Sequence, residues 1–495
     1  MTAQNVANSA TPDQECLDCG YEPELKRTLG GFQIFAVSFA FISVAVGIFA
    51  TYDDLLQSSG PVGIWLWILA AIGQALVALV VAQFAARIAL SGSSYQWASR
   101  LANPKIGWLF GWLTFWYLAI AVVALDNALA SQAFMPLVGM AENEDTARMI
   151  TVAILVIQSV LVIASTRLLG MITSSAVGIE LGIIVVLVIA LAVVMVFTGS
   201  GDLANLTSRG IAADAPNYFA IGGGLMAGMI MGLTTLVGFD SAANLAEEAK
   251  DPFKSVPLAI VSSVVAAGVL GFLFLIVLTI AIKDIPSVSA SGSPVAAIIR
   301  SQFGVIAERI LLAGLVFAMF GAGMVVIAAC SRQVFAMARD KRFPAHELMK
   351  KVNPKTQTPV PATLLILAVG VVLMLALPGQ ALIPLIVGST LLPALIYTGI
   401  VILYITVRKR LEHKEGGFSL GRFEMPVAVA ALIWEAFVLF VLVTPGDNTI
   451  PVLIVIGLVL AGGVYFAYMY FFHRETLDTD PGVDNAAVPT PQATA

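Results

Sequence analysis

The sequence predicts an all-α polytopic membrane protein of about twelve transmembrane helices, and three observations predict it. The first is composition. Of 495 residues, 59% are hydrophobic and 12% charged, and the mean hydropathy is +0.93. Soluble domains are about one quarter charged, so this chain lacks the polar surface to cover a core in water. The second is run length. A spanning helix needs roughly 20 mostly apolar residues, and the chain supplies such runs repeatedly. The third is charge asymmetry, described below.

The runs lie near 32–57, 62–85, 107–137, 148–166, 172–198, 220–245, 257–282, 305–337, 359–377, 380–406, 426–444 and 450–472. With the N-terminus placed in the cytoplasm and the spans alternated, all but five of the 26 basic residues fall inside; the five are Arg148, Arg209, Lys283, Arg300 and Arg309. That is a strong positive-inside bias. It predicts a cell-membrane protein with both termini cytoplasmic. The first thirty residues are polar and acidic, without the basic start and short apolar run of a cleavable signal peptide. The first long helix is therefore expected to insert and stay. The tail after Phe472 carries Asp478, Asp480, Asp484 and several prolines and reads as disordered.

Several function classes are disfavoured. A net charge of −5 without a basic patch offers nothing to nucleic acid. No G-x-x-x-x-G-K-[ST] occurs, so no ATP-binding P-loop is present. His346, His413 and His473 lie in cytoplasmic segments, and no H-E-x-x-H or G-x-S-x-G appears. The expectation is a protein that is not an enzyme and that uses no cofactor or metal. Cys16 and Cys19 form a lone C-x-x-C in the N-terminal tail. Without a second pair or nearby histidines, an incidental role outweighs a metal or redox one.

Two spans read as broken. The first contains Ser43-Val44-Ala45-Val46-Gly47, followed by Ile48; the sixth contains Thr234-Thr235-Leu236-Val237-Gly238-Phe239-Asp240-Ser241. Small and β-branched residues followed by glycine weaken a helix locally. Unwound backbone is tolerated in a bilayer only where it lines a protein cavity. The N-terminus of the second half-helix then suits a carboxylate, and the C-terminal carbonyls of the first suit an ammonium. A substrate carboxylate is thus expected near the N–H groups of Gly47 and Ile48, and an amine near the carbonyls of Thr234 to Val237. Taken singly, each glycine is as well explained by close helix packing. The matched pair, five spans apart, points to an inverted repeat of five plus five helices with two extra. On this reading residues 1–29 are a cytoplasmic tail, 30–198 the first repeat, 199–406 the second, 407–472 the two additional spans, and 473–495 the C-terminal tail.

At this point the residues resemble a known family. Gly238-Phe239-Asp240-Ser241, then Ala246-Glu247-Glu248-Ala249-Lys250-Asp251-Pro252 and Val256-Pro257, look like the sixth-span signature of the amino acid–polyamine–organocation (APC) permeases. Ser331-Arg332, Ala336-Met337-Ala338-Arg339-Asp340, Pro344 and Pro359-Val360-Pro361 extend the likeness, as does Ser91 to Ala98. Order and spacing match from about Leu29 to Phe472, and the general features are closest to the amino acid/choline branch. The resemblance implies a leucine-transporter-like fold and transport of amino acids or related small amines coupled to an ion gradient. The chain departs from the family pattern in having Ala45-Val46-Gly47 in span one, and Thr234 and Thr235 where an aromatic gate often stands.

The intramembrane acids are functional candidates. Glu180 sits in the apolar run of span five, near the ion-coupling region of relatives. An apolar environment penalises the charged form of a carboxyl group, which makes Glu180 a candidate proton carrier; the competing role is a hydrogen bond that holds a neighbouring helix. Asp240 follows the span-six break and is expected to cap the next half-helix. Asp126 is placed to meet a cationic substrate, and Glu435 is expected to be peripheral. Glu247 and Glu248 oppose the dipole at the end of span six. They call for cationic partners, for which Arg27, Arg332 and Arg339 are available, as an inward gate or as weak surface pairs. Proton symport by alternating access is the leading expectation. Sodium coupling through span-one carbonyls and Ser331, exchange, and an amino acid sensor are the alternatives.

Overall fold

The computed structural model describes residues 24–482 except 142, 292, 377–381, 412–416 and 445–448. Cys16 and Cys19 lie outside the described residues, as does the tail beyond 482. The regular structure of the described residues is helical, and one isolated β-bridge joins Leu29 to Ala249.

Among the described residues, ten helices are long and apolar enough to cross a membrane, and two shorter apolar helices, Gly224–Thr235 and Val360–Ala376, stand where spans six and nine are predicted. Span one consists of α1 (Gly31–Ile42) and α2 (Val44–Ser58). It is followed by α3 (Leu66–Ala85), the short α4 (Ser93–Leu101) and α5 (Pro104–Ala128). Asn103 starts α5 by accepting from the Lys105 N–H, with Pro104 in the first turn, where its missing donor is no loss. Helices α6 (Glu144–Ala164) and α7 (Thr166–Thr198) meet at Ser165, whose side chain caps α7 through the Arg167 N–H. Span five therefore begins about six residues before its predicted start.

Span six contains α8 (Met229–Thr235) and α9 (Ser241–Asn244), separated by a non-helical stretch. Then come α10 (Pro252–Ile280), α11 (Val305–Arg339), α12 (Val360–Ala376), α13 (Leu382–Val407), α14 (Glu424–Val443) and α15 (Thr449–Phe472). The C-terminal segment opens with a short helix, α16 (Arg474–Asp478), in place of the predicted disorder. It is held because Arg342, itself buried, donates to the carbonyls of Thr476 and Thr479, and Lys105 pairs with Asp478 at 2.6 Å.

Burial separates two kinds of helix. Broken span one is enclosed: Ile34, Val37, Phe39 and Val44 are fully buried. In contrast, α7 points Val186, Ile189, Val196 and Phe197 outward, as a lipid-facing helix does. The breaks thus lie inside a helical shell, where unwound backbone is shielded from hydrocarbon.

Candidate functional site

The break in span one is a single residue. Ser43 adopts φ 40°, ψ 78°, in the left-handed region, and α2 starts at the next residue. This is narrower than the predicted Ser43–Gly47 stretch and shifts the available donors. Gly47 N–H bonds to the Ser43 carbonyl at 2.9 Å. Gly47 and Ile48 therefore lie within the helix, and the first-turn donors are those of Val44, Ala45 and Val46.

One of these donors is already engaged. Glu180, buried on α7, accepts from Ala45 N–H at 3.0 Å and from the Ser43 hydroxyl at 3.2 Å, both on Oε1. A carboxyl group from span five therefore stands at the positive end of α2.

The break in span six runs from Leu236 to Asp240. Gly238 takes φ +82°, and a Cβ there would run into the Phe41 ring, so both conformation and space demand glycine. The predicted cap is corrected here. Asp240 holds the N-cap position of α9 but makes no side-chain capping bond. Its Oδ1 accepts instead from the Tyr397 hydroxyl of α13 at 2.6 Å. That hydroxyl also accepts from Gly238 N–H at 3.1 Å, and the Tyr397 ring stacks on Phe239 at 4.9 Å. One phenol thus serves both a stranded backbone donor and a buried acid.

The two breaks are stitched together. Ser38 donates to the Phe239 carbonyl at 2.7 Å. Gly47 faces Thr235 so closely that a Cβ would overlap the threonine side chain. Beside this junction lies a cavity of about 110 Å³, bounded by the span-one break, Thr234, Thr235 and Val237 of span six, Tyr117 of α5, and Ser389 and Thr390 of α13.

At the helix ends that carry the basic loops, Glu248 pairs with Arg332 at 2.6 Å, both fully buried, and Glu247 pairs with Arg339 at 3.0 Å. Glu247 also accepts from Ser91 N–H, and Arg332 donates to Ser331, which ties that hydroxyl to the ion pair. Arg27 donates to the carbonyls of Ala246 and Ala249. The Thr28 and Leu29 amides donate to the Glu248 carbonyl. The reading of these pairs as weak and surface-exposed is thus replaced by a buried one. Asp126 is not part of the cavity lining; its Oδ1 accepts from Gln158 at 2.9 Å, and its Oδ2 has no partner among the described residues. Glu435 is buried in α14 with no hydrogen-bond partner among the described residues. Tyr117 and Tyr397 were not singled out by sequence reasoning; hydroxyl-bearing aromatics within apolar runs are the signal that marks them.

A protein-family model described as amino acid permease matches residues 29–452. The chain is 28% identical over 455 residues to the amino-acid permease BAT1 of Arabidopsis thaliana, covering 84% of this chain and 85% of that one. It is 28% identical over 371 residues to the GABA-specific permease of Saccharomyces cerevisiae, covering 72% and 64% of the two chains. It is 26% identical over 451 residues to a BAT1 homolog of Oryza sativa, covering 85% of each. With the family match covering most of the chain, this membrane protein belongs to the amino acid permease family.

Proposed function

We propose that the chain is a proton symporter that moves amino acids or related small amines across the cell membrane by alternating access. Residues 30–198 and 199–406 form its two inverted repeats, 407–472 add two spans, and both termini are cytoplasmic. The observation that carries this reading is the placement of Glu180 on the Ala45 N–H at the span-one break.

That placement gives a physical route to coupling. A substrate carboxylate is drawn to the remaining first-turn donors of α2, at Val44 and Val46, and its amine to the carbonyls at the end of α8. Glu180 occupies the same helix end. Two carboxylates at one helix terminus repel, and a proton on Glu180 removes the repulsion. Substrate and proton therefore favour each other's binding, as linkage requires of a symporter. The Glu247–Arg339 and Glu248–Arg332 pairs serve as the inward gate, closed in this conformation, with Arg27 holding the N-terminal segment across it. The names of the plant and yeast relatives support an amino acid substrate.

The test uses the full chain in proteoliposomes. An inward proton gradient should drive accumulation of a labelled amino acid in the absence of sodium. A strict sodium requirement, or uptake that ignores the proton gradient, overturns the proton reading. Absence of counterflow for every amino acid tested overturns transport itself and favours a sensor.

A further inference from the structure

Resting on the reading of this cavity as the transport site, we infer that the substrate is a small zwitterion whose side chain carries no charge, and that the Tyr117 hydroxyl is the donor that selects it.

The first argument is charge. Among the described residues, no acidic or basic side chain lines the cavity. Of the buried acids on these helices, Glu180 is engaged with Ser43 and Ala45 and Asp240 with Tyr397, while Asp126, whose Oδ1 accepts from Gln158 and whose Oδ2 has no partner among the described residues, is not part of the cavity lining. A lysine side chain or a polyamine would leave water without gaining a counter-charge, a penalty that no neutral hydrogen bond offsets. An anionic side chain faces the same loss. The main-chain charges of a zwitterion are provided for by the two half-helix ends.

The second argument is hydrogen-bond bookkeeping. Thr51 donates to the Gly47 carbonyl, Thr234 to Ile230, Thr235 to Met231, and Ser389 and Thr390 to Ile386. Each hydroxyl proton is spent on its own helix, so these groups present only oxygen lone pairs to the cavity. They suit a donor such as an ammonium or an alcohol. Tyr117 differs: it is 2% exposed, lines the cavity, and its hydroxyl has no partner among the described residues. Phe41 packs against its ring at 5.7 Å between centroids. A buried donor left unpaired is costly, and a bound substrate oxygen completes it.

The third argument is size. A volume of about 110 Å³ is well under the roughly 300–1,000 Å³ of clefts for drug-sized ligands, and it fits a molecule of a few heavy atoms.

The experiment is competition binding and counterflow with the full chain, using L-alanine, L-threonine, γ-aminobutyrate, L-lysine, putrescine and L-glutamate. The first three should compete at concentrations at least tenfold lower than the last three. Lysine, putrescine or glutamate competing as well as alanine overturns the charge assignment while leaving transport standing. Selective binding of the neutral compounds without counterflow overturns the transport reading and leaves the ligand class intact. Tyr117→Phe should weaken alanine binding about tenfold, the loss of one hydrogen bond to a charged group, with a ligand-free unfolding midpoint that stays level or rises. Unchanged affinity overturns the role of the hydroxyl. Ala124→Asp, which adds a carboxylate to the lining, should admit lysine; continued exclusion of lysine by a folded Ala124→Asp protein also counts against the charge argument.

Discussion

Glu180 of α7 and Ala45 of α2 are joined by a 3.0 Å hydrogen bond from the Ala45 amide to the carboxyl group. The acid therefore reaches across from one helix to complete the exposed end of another. A glutamine at position 180 keeps the acceptor oxygen but has no proton to release. Glu180→Gln should bind and exchange substrate yet fail to accumulate it above equilibrium under a proton gradient. Full concentrative uptake by this variant would reduce Glu180 to a cap. Under the proposed proton symport, initial uptake by the native protein should fall as the external pH is raised.

Tyr397→Phe removes the hydroxyl shared by Gly238 and Asp240. A buried amide and a buried carboxyl group then lose a partner, at about 1–3 kcal/mol for each group left unsatisfied. Thermal unfolding in detergent should shift downward, and transport should fall further than stability, because the span-six break loses its fixed shape. An unaltered unfolding curve would show that another group takes over.

Arg332→Ala strands the buried Glu248 carboxylate, a change worth about 3–5 kcal/mol of destabilisation. The double variant Arg332→Met with Glu248→Leu should recover most of that stability and remain transport-deficient. Thermal shift and uptake, measured side by side, separate a gate from a simple staple: equal recovery of both would make the pair merely structural.

Gly47→Ala pushes a methyl group into Thr235. Overpacking of this kind costs about 1–3 kcal/mol. Uptake should drop sharply while the protein still purifies as a folded species. Pairing it with Thr235→Ser, which clears the γ-methyl but keeps the hydroxyl, should restore part of the loss. No rescue would place the defect elsewhere.

Much of this arrangement is legible in the sequence because it depends on residue types that are costly in a bilayer. Glycine inside an apolar run marked the span-six break, an acid inside an apolar run marked Glu180, and acids at the C-terminal end of span six marked Glu247 and Glu248. Other features depend on contacts that sequence spacing does not encode. Ser43 is a non-glycine residue in the left-handed region, a conformation imposed by its surroundings rather than by its own preference, so the span-one break was read four residues too wide. Asp240 was assigned a local cap because Asp at such a position usually serves one. Its real partner, Tyr397, lies 157 residues away. Similarly, the direction in which Asp126 faces depends on the rotation of α5 against α6, which a uniformly apolar helix does not reveal.

Under the proposed gating role, the paired charges at the basic end of the molecule carry a consequence for speed. Had that end been plugged by leucines and phenylalanines, each opening would have laid apolar surface against incoming water. An Arg–Glu plug instead dissolves: as the vestibule wets, Arg332 and Glu248 exchange one another for hydration, and the two terms oppose each other. Opening at this end is therefore limited less by the strength of the lock than by the motion of the helices that carry it, so turnover should respond to bilayer stiffness more than to ionic strength.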